Sequence, residues 1–193
     1  MADSKKTLAA VLFGLLVVLV VIFLVTSGRE RIRKTANPAA SAAASAPSDE
    51  RPTKKATLFF PRDDDGLLVA EDRDIPAGAS VDRDAVMVLT ELIKGSSGSL
   101  VAAFPPETKV DDLFITKDGT AYVDFSSDLA DKHPSGTDAE TSTVFSVVNT
   151  LTFNFRSIKK VFILIDGRER ETLAGHLSLE RAILPNYSLN VKR

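Results

Sequence analysis

From Leu8 to Val25 every residue except Gly14 is apolar. At about 1.5 Å rise per residue this stretch spans roughly 27 Å as a helix, and Thr7, Thr26 and Ser27 extend it toward the roughly 30 Å hydrocarbon core of a bilayer. Buried core helices seldom run so far without a charged or amide side chain, so the pattern predicts a transmembrane anchor within residues 1–28. The exit, Val25-Thr26-Ser27-Gly28, is a poor small-x-small cleavage site, which predicts that the anchor is retained. Periodicity then disappears over residues 29–55, a basic stretch followed by an Ala/Pro/Ser-rich run (Ala39–Ser48) with no large apolar side chain. Such a segment cannot offset its ordering entropy and reads as a flexible linker with a mean reach on the order of 30 Å.

Alternation and helical spacing return over residues 56–185. Thr57–Phe60, stopped by Pro61, and Leu67–Ala70 flank Asp63-Asp64-Asp65-Gly66, which is turn chemistry and predicts a hairpin. Ser80 or Asp82 can cap a helix reaching Lys94, with Ala85, Val86, Leu89, Leu92 and Ile93 on one face and Gly95 at its exit. Val110–Ser126 alternates around Lys117-Asp118-Gly119. A two-residue loop would set Leu113 opposite Asp124; a three-residue loop with Gly119 left-handed gathers Leu113, Ile115, Ala121, Val123 and Phe125 on one face. The three-residue loop is therefore predicted, with Phe114, Thr116, Tyr122 and Asp124 on the opposite, half-apolar face.

Thr137-Asp138-Ala139-Glu140 has capping-box spacing and predicts a helix start; Val144, Val147, Val148, Leu151 and Phe155 follow as a single buried stripe. Val161–Ile165 is apolar on both faces, which suits a central strand. Asp166-Gly167 turns it, Glu169–Leu173 reads as a return strand, and the chain beyond Leu177 as a loosely attached end, with residues 186–193 a tail outside the domain. The fold class is α+β: a small mixed or antiparallel sheet with two helices packed on one face, preceded by one transmembrane helix and a linker.

Charge and composition then narrow the function. A formal net charge of -2 with both signs interspersed offers no basic face, which argues against nucleic acid as a partner. The absence of cysteine removes disulfides, thiolate metal sites, cysteine nucleophiles and a lipid-bearing cysteine together. A hydrolase would have to use His176 with Asp166 and Ser126 or Ser178, and neither serine has a nucleophile-elbow glycine pattern. The three aspartates before Gly66 lack the spaced ligands and closing glutamate of a calcium loop. No catalytic residue, metal ligand or cofactor is therefore assigned.

Several motifs together carry a family resemblance: Tyr122-Val123-Asp124-Phe125-Ser126, Val147-Val148-Asn149-Thr150-Leu151, Ile163-Leu164-Ile165-Asp166-Gly167, and Thr172-Leu173 with Gly175-His176. In this order, with Phe104-Pro105-Pro106 ahead of the second hairpin, residues 57–185 resemble the GerMN domain of sporulation and spore germination proteins. The resemblance implies a bacterial envelope protein without transferable catalytic activity, with Asp124, Asp166, Gly167, Gly175 and His176 as structural motif residues. It also implies a domain outside the cytoplasmic membrane with the N-terminus inside. The flanking charges point the other way, because Lys5 and Lys6 stand against Arg29, Arg31, Arg33 and Lys34. The combined expectation is a single-pass, extracytoplasmic binding or assembly module. Its partners are other envelope proteins or copies of itself, met through Phe114 and Tyr122 or an exposed sheet edge, with the bilayer held through residues 8–25. Binding of cell-wall glycan (peptidoglycan) is the alternative, and a hydrolase using His176 a weaker one.

Overall fold

The computed structural model describes residues 52–192; the expected anchor and most of the expected linker lie outside them. Among the described residues no helix is long and apolar enough to cross a membrane. The elements are β1 (Thr53–Pro61), β2 (Leu68–Pro76), α1 (Val81–Ile93), β3 (Val110–Ile115), β4 (Thr120–Phe125), a short α2 (Asp128–Asp131), α3 (Thr137–Asn154) and β5 (Lys160–Ile165), ending in a 3-10 turn, Tyr187–Leu189. The α+β class holds, with two sheets where one was expected. The first is the antiparallel β1–β2 hairpin; the second has the order β3-β4-β5, with β3–β4 antiparallel and β4–β5 parallel.

The reason for two sheets lies at the edge of β1. Asn154 Oδ1 accepts the Thr57 N–H at 2.9 Å, Thr150 Oγ1 accepts the Phe59 N–H at 3.1 Å, and Asn154 Nδ2 donates to Thr57 O at 2.7 Å. Side chains of α3 thus satisfy backbone groups that another strand would otherwise have to meet. The hairpin is also longer than predicted, and β1 begins at Thr53, inside the expected linker. Lys54 accounts for this: its ammonium lies 2.6 Å from Asp84 of α1 and over the Phe155 ring. On β2, Arg73 reaches Glu71 at 2.5 Å, Glu91 O at 3.1 Å and Gly95 O at 3.0 Å, tying the polar half of that strand to the end of α1.

The predicted register of the second hairpin is correct. Ile115 pairs with Ala121 and Leu113 with Val123, Thr116 N donates to Thr120 O at 2.9 Å, and Gly119 has φ +87°. The strand expected at the centre, β5, is instead last in the sheet order, and β4 is central. Its apolar character has two sources: Val161, Ile163 and Ile165 are buried in the core, while Phe162 packs on the opposite face. Beyond β5 the chain returns at Ile183, which exchanges backbone bonds of 3.0 and 2.7 Å with Val161. The expected return strand Glu169–Leu173 does not form, and only isolated bridges such as Thr172–Ser178 replace it.

Helix α1 starts as predicted, with Ser80 Oγ accepting from Arg83 N, and buries Ala85, Val88, Leu89 and Leu92. Helix α3 departs from expectation twice. Its N-cap is Gly136 rather than Thr137, and Glu140 turns inward instead of closing a capping box. It also buries Thr143, Ser146, Asn149 and Thr150 besides its apolar stripe, because it contacts both β1 and β5 and so has no wide solvent face. Both long helices share one core cluster with Leu113, Val123, Phe125, Ile163 and Ile165. The chain end, expected to be loose, is held by Asn149: its Nδ2 donates to Asn186 O and Asn190 Oδ1 at 2.9 and 2.8 Å, and its Oδ1 accepts from Asn186 N at 3.0 Å.

Candidate functional site

Alternation in three adjacent strands sends every second side chain away from the helices. Register then lines up Phe114 of β3, Tyr122 of β4 and Phe162 of β5 as direct neighbours across the sheet. The Phe114 and Tyr122 rings stack with centroids 4.8 Å apart and planes 5° from parallel; Tyr122 and Phe162 stack at 5.3 Å and 28°. Phe114 is 47% exposed, and Tyr122 and Phe162 are half-buried. Each ring's face is directed at its neighbour, so Tyr122 is sandwiched and the row presents ring edges outward. It is a ridge rather than a platform.

One step along the strands lies a second row on the same face, Asp112, Asp124 and Leu164. Asp112 follows a bulge in β3, and its Oδ1 accepts from the Leu113 N–H at 2.8 Å. Asp124 Oδ1 accepts from the Gly167 N–H at 2.9 Å. That bond explains the Asp124, Asp166 and Gly167 motif as one unit. Asp166 and Gly167 have φ +53° and +70°, Ile165 and Arg168 exchange backbone bonds across them, and the carboxylate of β4 holds the turn that leaves β5.

Gly175 and His176 belong to a different unit. The Glu140 side chain is 0% exposed, and its oxygens accept from His176 N at 3.1 and 3.2 Å and from Leu177 N at 2.9 Å, while His176 Nδ1 lies 2.8 Å away. Burial pushes this carboxyl up, but bonds from Leu177, the His176 ring and backbone around Ala174 and His176 outweigh it and hold the acid below its ordinary value. Being ionised, it can only accept, so Nδ1 of His176 carries the proton. Gly175, at φ +111°, makes the bend that brings these amides over the carboxylate.

These two units occupy the positions on which the family resemblance rests, and residues 57–171 match the Germane family, described as sporulation and spore germination. The chain belongs to the Germane family. Its GerMN domain is 29% identical to the first GerMN domain of the sporulation protein GerM from Bacillus subtilis, with a TM-score of 0.55, covering 69% of this chain and 98% of that one. Against the tandem GerMN domains of the same protein the identity is 27% and the TM-score 0.54, over 70% of this chain and 47% of that one, so the chain spans about half of the tandem. No curated protein matches.

Within this GerMN domain the trio that a hydrolase would need is not assembled. His176 is oriented by Glu140 and not by Asp166, which sits in the β5 turn; Ser126 Oγ accepts from the Lys109 N–H, and Ser178 Oγ donates to Glu180 at 3.4 Å. Among the described residues no cluster of His, Cys, Asp or Glu is arranged to hold a metal ion. Two residues of the ridge face escape sequence reasoning. Phe162 joins the row only through the parallel β4–β5 pairing, and alternation in Val161–Ile165 is the one signal that could have found it; Asp112 faces Asp124 in the same register as Leu113 and Val123, so carrying the hairpin alternation two residues back from Phe114 would have found it.

Proposed function

We propose that this protein is a membrane-tethered, extracytoplasmic docking module of the bacterial cell envelope, non-enzymatic and GerM-like, binding another protein through the Phe114–Tyr122–Phe162 ridge. The observation that carries this reading is the stacked aromatic row left open on one sheet face. The apolar run 8–25 supports the tether, and the family supports a sporulation, germination or general envelope role. Docking through a sheet edge is less favoured. The outer side of β5 meets Ile183, β1 is capped by α3 side chains, and β3 carries a bulge and a self-capping aspartate. Glycan binding is also less favoured, because sugars stack on ring faces and both faces of Tyr122 and one face each of Phe114 and Phe162 are turned on neighbouring rings.

The open face covers roughly 300 Å² by strand spacing and rise, well under the ~800 Å² per partner of a standard stable interface. A contact of that size is weak in solution. Confinement beside a co-anchored partner raises effective concentration and compensates for it. The test is photocrosslinking in intact cells from a reactive side chain at Thr116, comparing the native chain with Phe114→Ser plus Tyr122→Ser. Loss of the crosslinked species in a variant that stays folded supports docking through the ridge; identical species overturn it. A reporter active only outside the cytoplasm, fused after Arg193, tests the orientation, and an inactive fusion would reverse the localisation.

A further inference from the structure

We infer that the partner presents an arginine two residues from an apolar side chain on an extended segment, the guanidinium entering between Asp112 and Asp124 while the apolar side chain rests on the ridge. The inference builds on the docking reading and specifies the chemistry that reading leaves open. Asp112 and Asp124 are direct cross-strand partners, an arrangement in which like charges repel. Each carboxylate spends Oδ1 on a backbone N–H, from Leu113 and Gly167 respectively, and among the described residues neither Oδ2 takes a hydrogen bond. Among the described residues neither has a basic side chain at ion-pair distance. Lys160, the cation on the same face, is engaged by Asp118 at 3.2 Å beyond the far side of the ridge.

Two carboxylates side by side match the planar fork of a guanidinium better than the point charge of an ammonium. The acidic and aromatic rows are one alternation apart, about 7 Å, which is the spacing of residues i and i+2 in an extended chain. A partner that satisfies both rows therefore carries apolar-x-arginine, or the reverse. Leu164 at the end of the acidic row, half-buried, closes that side with an apolar wall.

The experiment is an NMR titration of the isotope-labelled full chain in detergent micelles. The probes are an acetylated leucine-serine-arginine amide and its leucine-serine-glutamine counterpart. The expected result is binding of the arginine peptide about tenfold tighter than the glutamine peptide, with shifts at Asp112, Asp124 and Tyr122, weakened by added salt. Asp112→Asn and Asp124→Asn, each keeping the oxygen that accepts its backbone N–H, should each remove most of the discrimination while leaving the spectrum of the core in place. Should one of them fail to fold, the other still decides. Equal binding of both peptides overturns the arginine inference and leaves ridge docking intact. No shift with either peptide also overturns it, and docking is then judged separately by the crosslinks of the ridge variant.

Discussion

Removing the Glu140 carboxylate should detach the segment around His176 from α3, and the structure sets the size of the effect. Two backbone N–H groups and one imidazole N–H converge on a fully buried side chain. Glu140→Ala leaves both backbone donors without an acceptor, at about 1–3 kcal/mol each, offset in part by no longer burying a charge, so a net loss of about 2–4 kcal/mol is expected. Glu140→Gln keeps one accepting oxygen and turns an amide toward a donor, for an expected loss of about 1–2 kcal/mol. His176→Ala removes one bond from a ring whose side chain is 40% exposed and should cost less than about 1 kcal/mol. Urea unfolding of the full chain in mild detergent measures the series, and hydrogen exchange at the His176 and Leu177 amides localises it. Because the folded acid titrates below its ordinary value of 4.5, its contribution is complete above that pH and is lost as the pH falls through the depressed value. The alanine variant should therefore show a flatter acid limb. A loss below about 1 kcal/mol with unchanged exchange at residues 176 and 177 would refute the assignment of Glu140 as the anchor of this segment.

Three further outcomes are expected. Burial pushes Glu71 up, yet hydrogen bonds from Ser96, Arg73 and Ser97 bring it down to about 2; native stability should fall between pH 4.5 and about 2, and Glu71→Gln should lose that dependence in acid-denaturation curves. Gly119→Ala places a Cβ 2.9 Å from Ser157 O at φ +87°, so thermal unfolding should reveal a cost of about 1–3 kcal/mol. Asn149→Leu removes three bonds to the chain end, and limited proteolysis should then cut within residues 186–191 at protease levels that leave the native chain whole.

What could be read from the sequence was whatever local chemistry decides. Lys117-Asp118-Gly119 and the alternation around it determine the β3–β4 register, and Ser80 with the apolar spacing after it determines α1. Phe114 and Tyr122 were visible as one face because hairpin register is local. Phe162 was not, because its place beside Tyr122 depends on α3 carrying the chain across to a parallel strand. Glu140 has the right spacing from Thr137 for a capping box, and nothing nearby discloses that its partners lie 36 and 37 residues downstream. Asn149, Thr150 and Asn154 read as ordinary polar helix residues, although they serve the chain end and the edge of β1.

The capping of β1 by α3 also sets an order of events at the ribosome. The bonds that close the β1 edge join residues 97 and 91 positions apart, so at roughly 5–20 residues per second the hairpin emerges several seconds before its cover exists. During that interval the apolar Leu58-Phe59-Phe60 stretch has an open edge, the circumstance in which nascent chains associate wrongly. Lys54 and Lys55, on β1 just before the capped residues, keep that end of the edge charged until α3 is synthesised. In the folded chain Lys54 then takes up a second task, at Asp84 of α1.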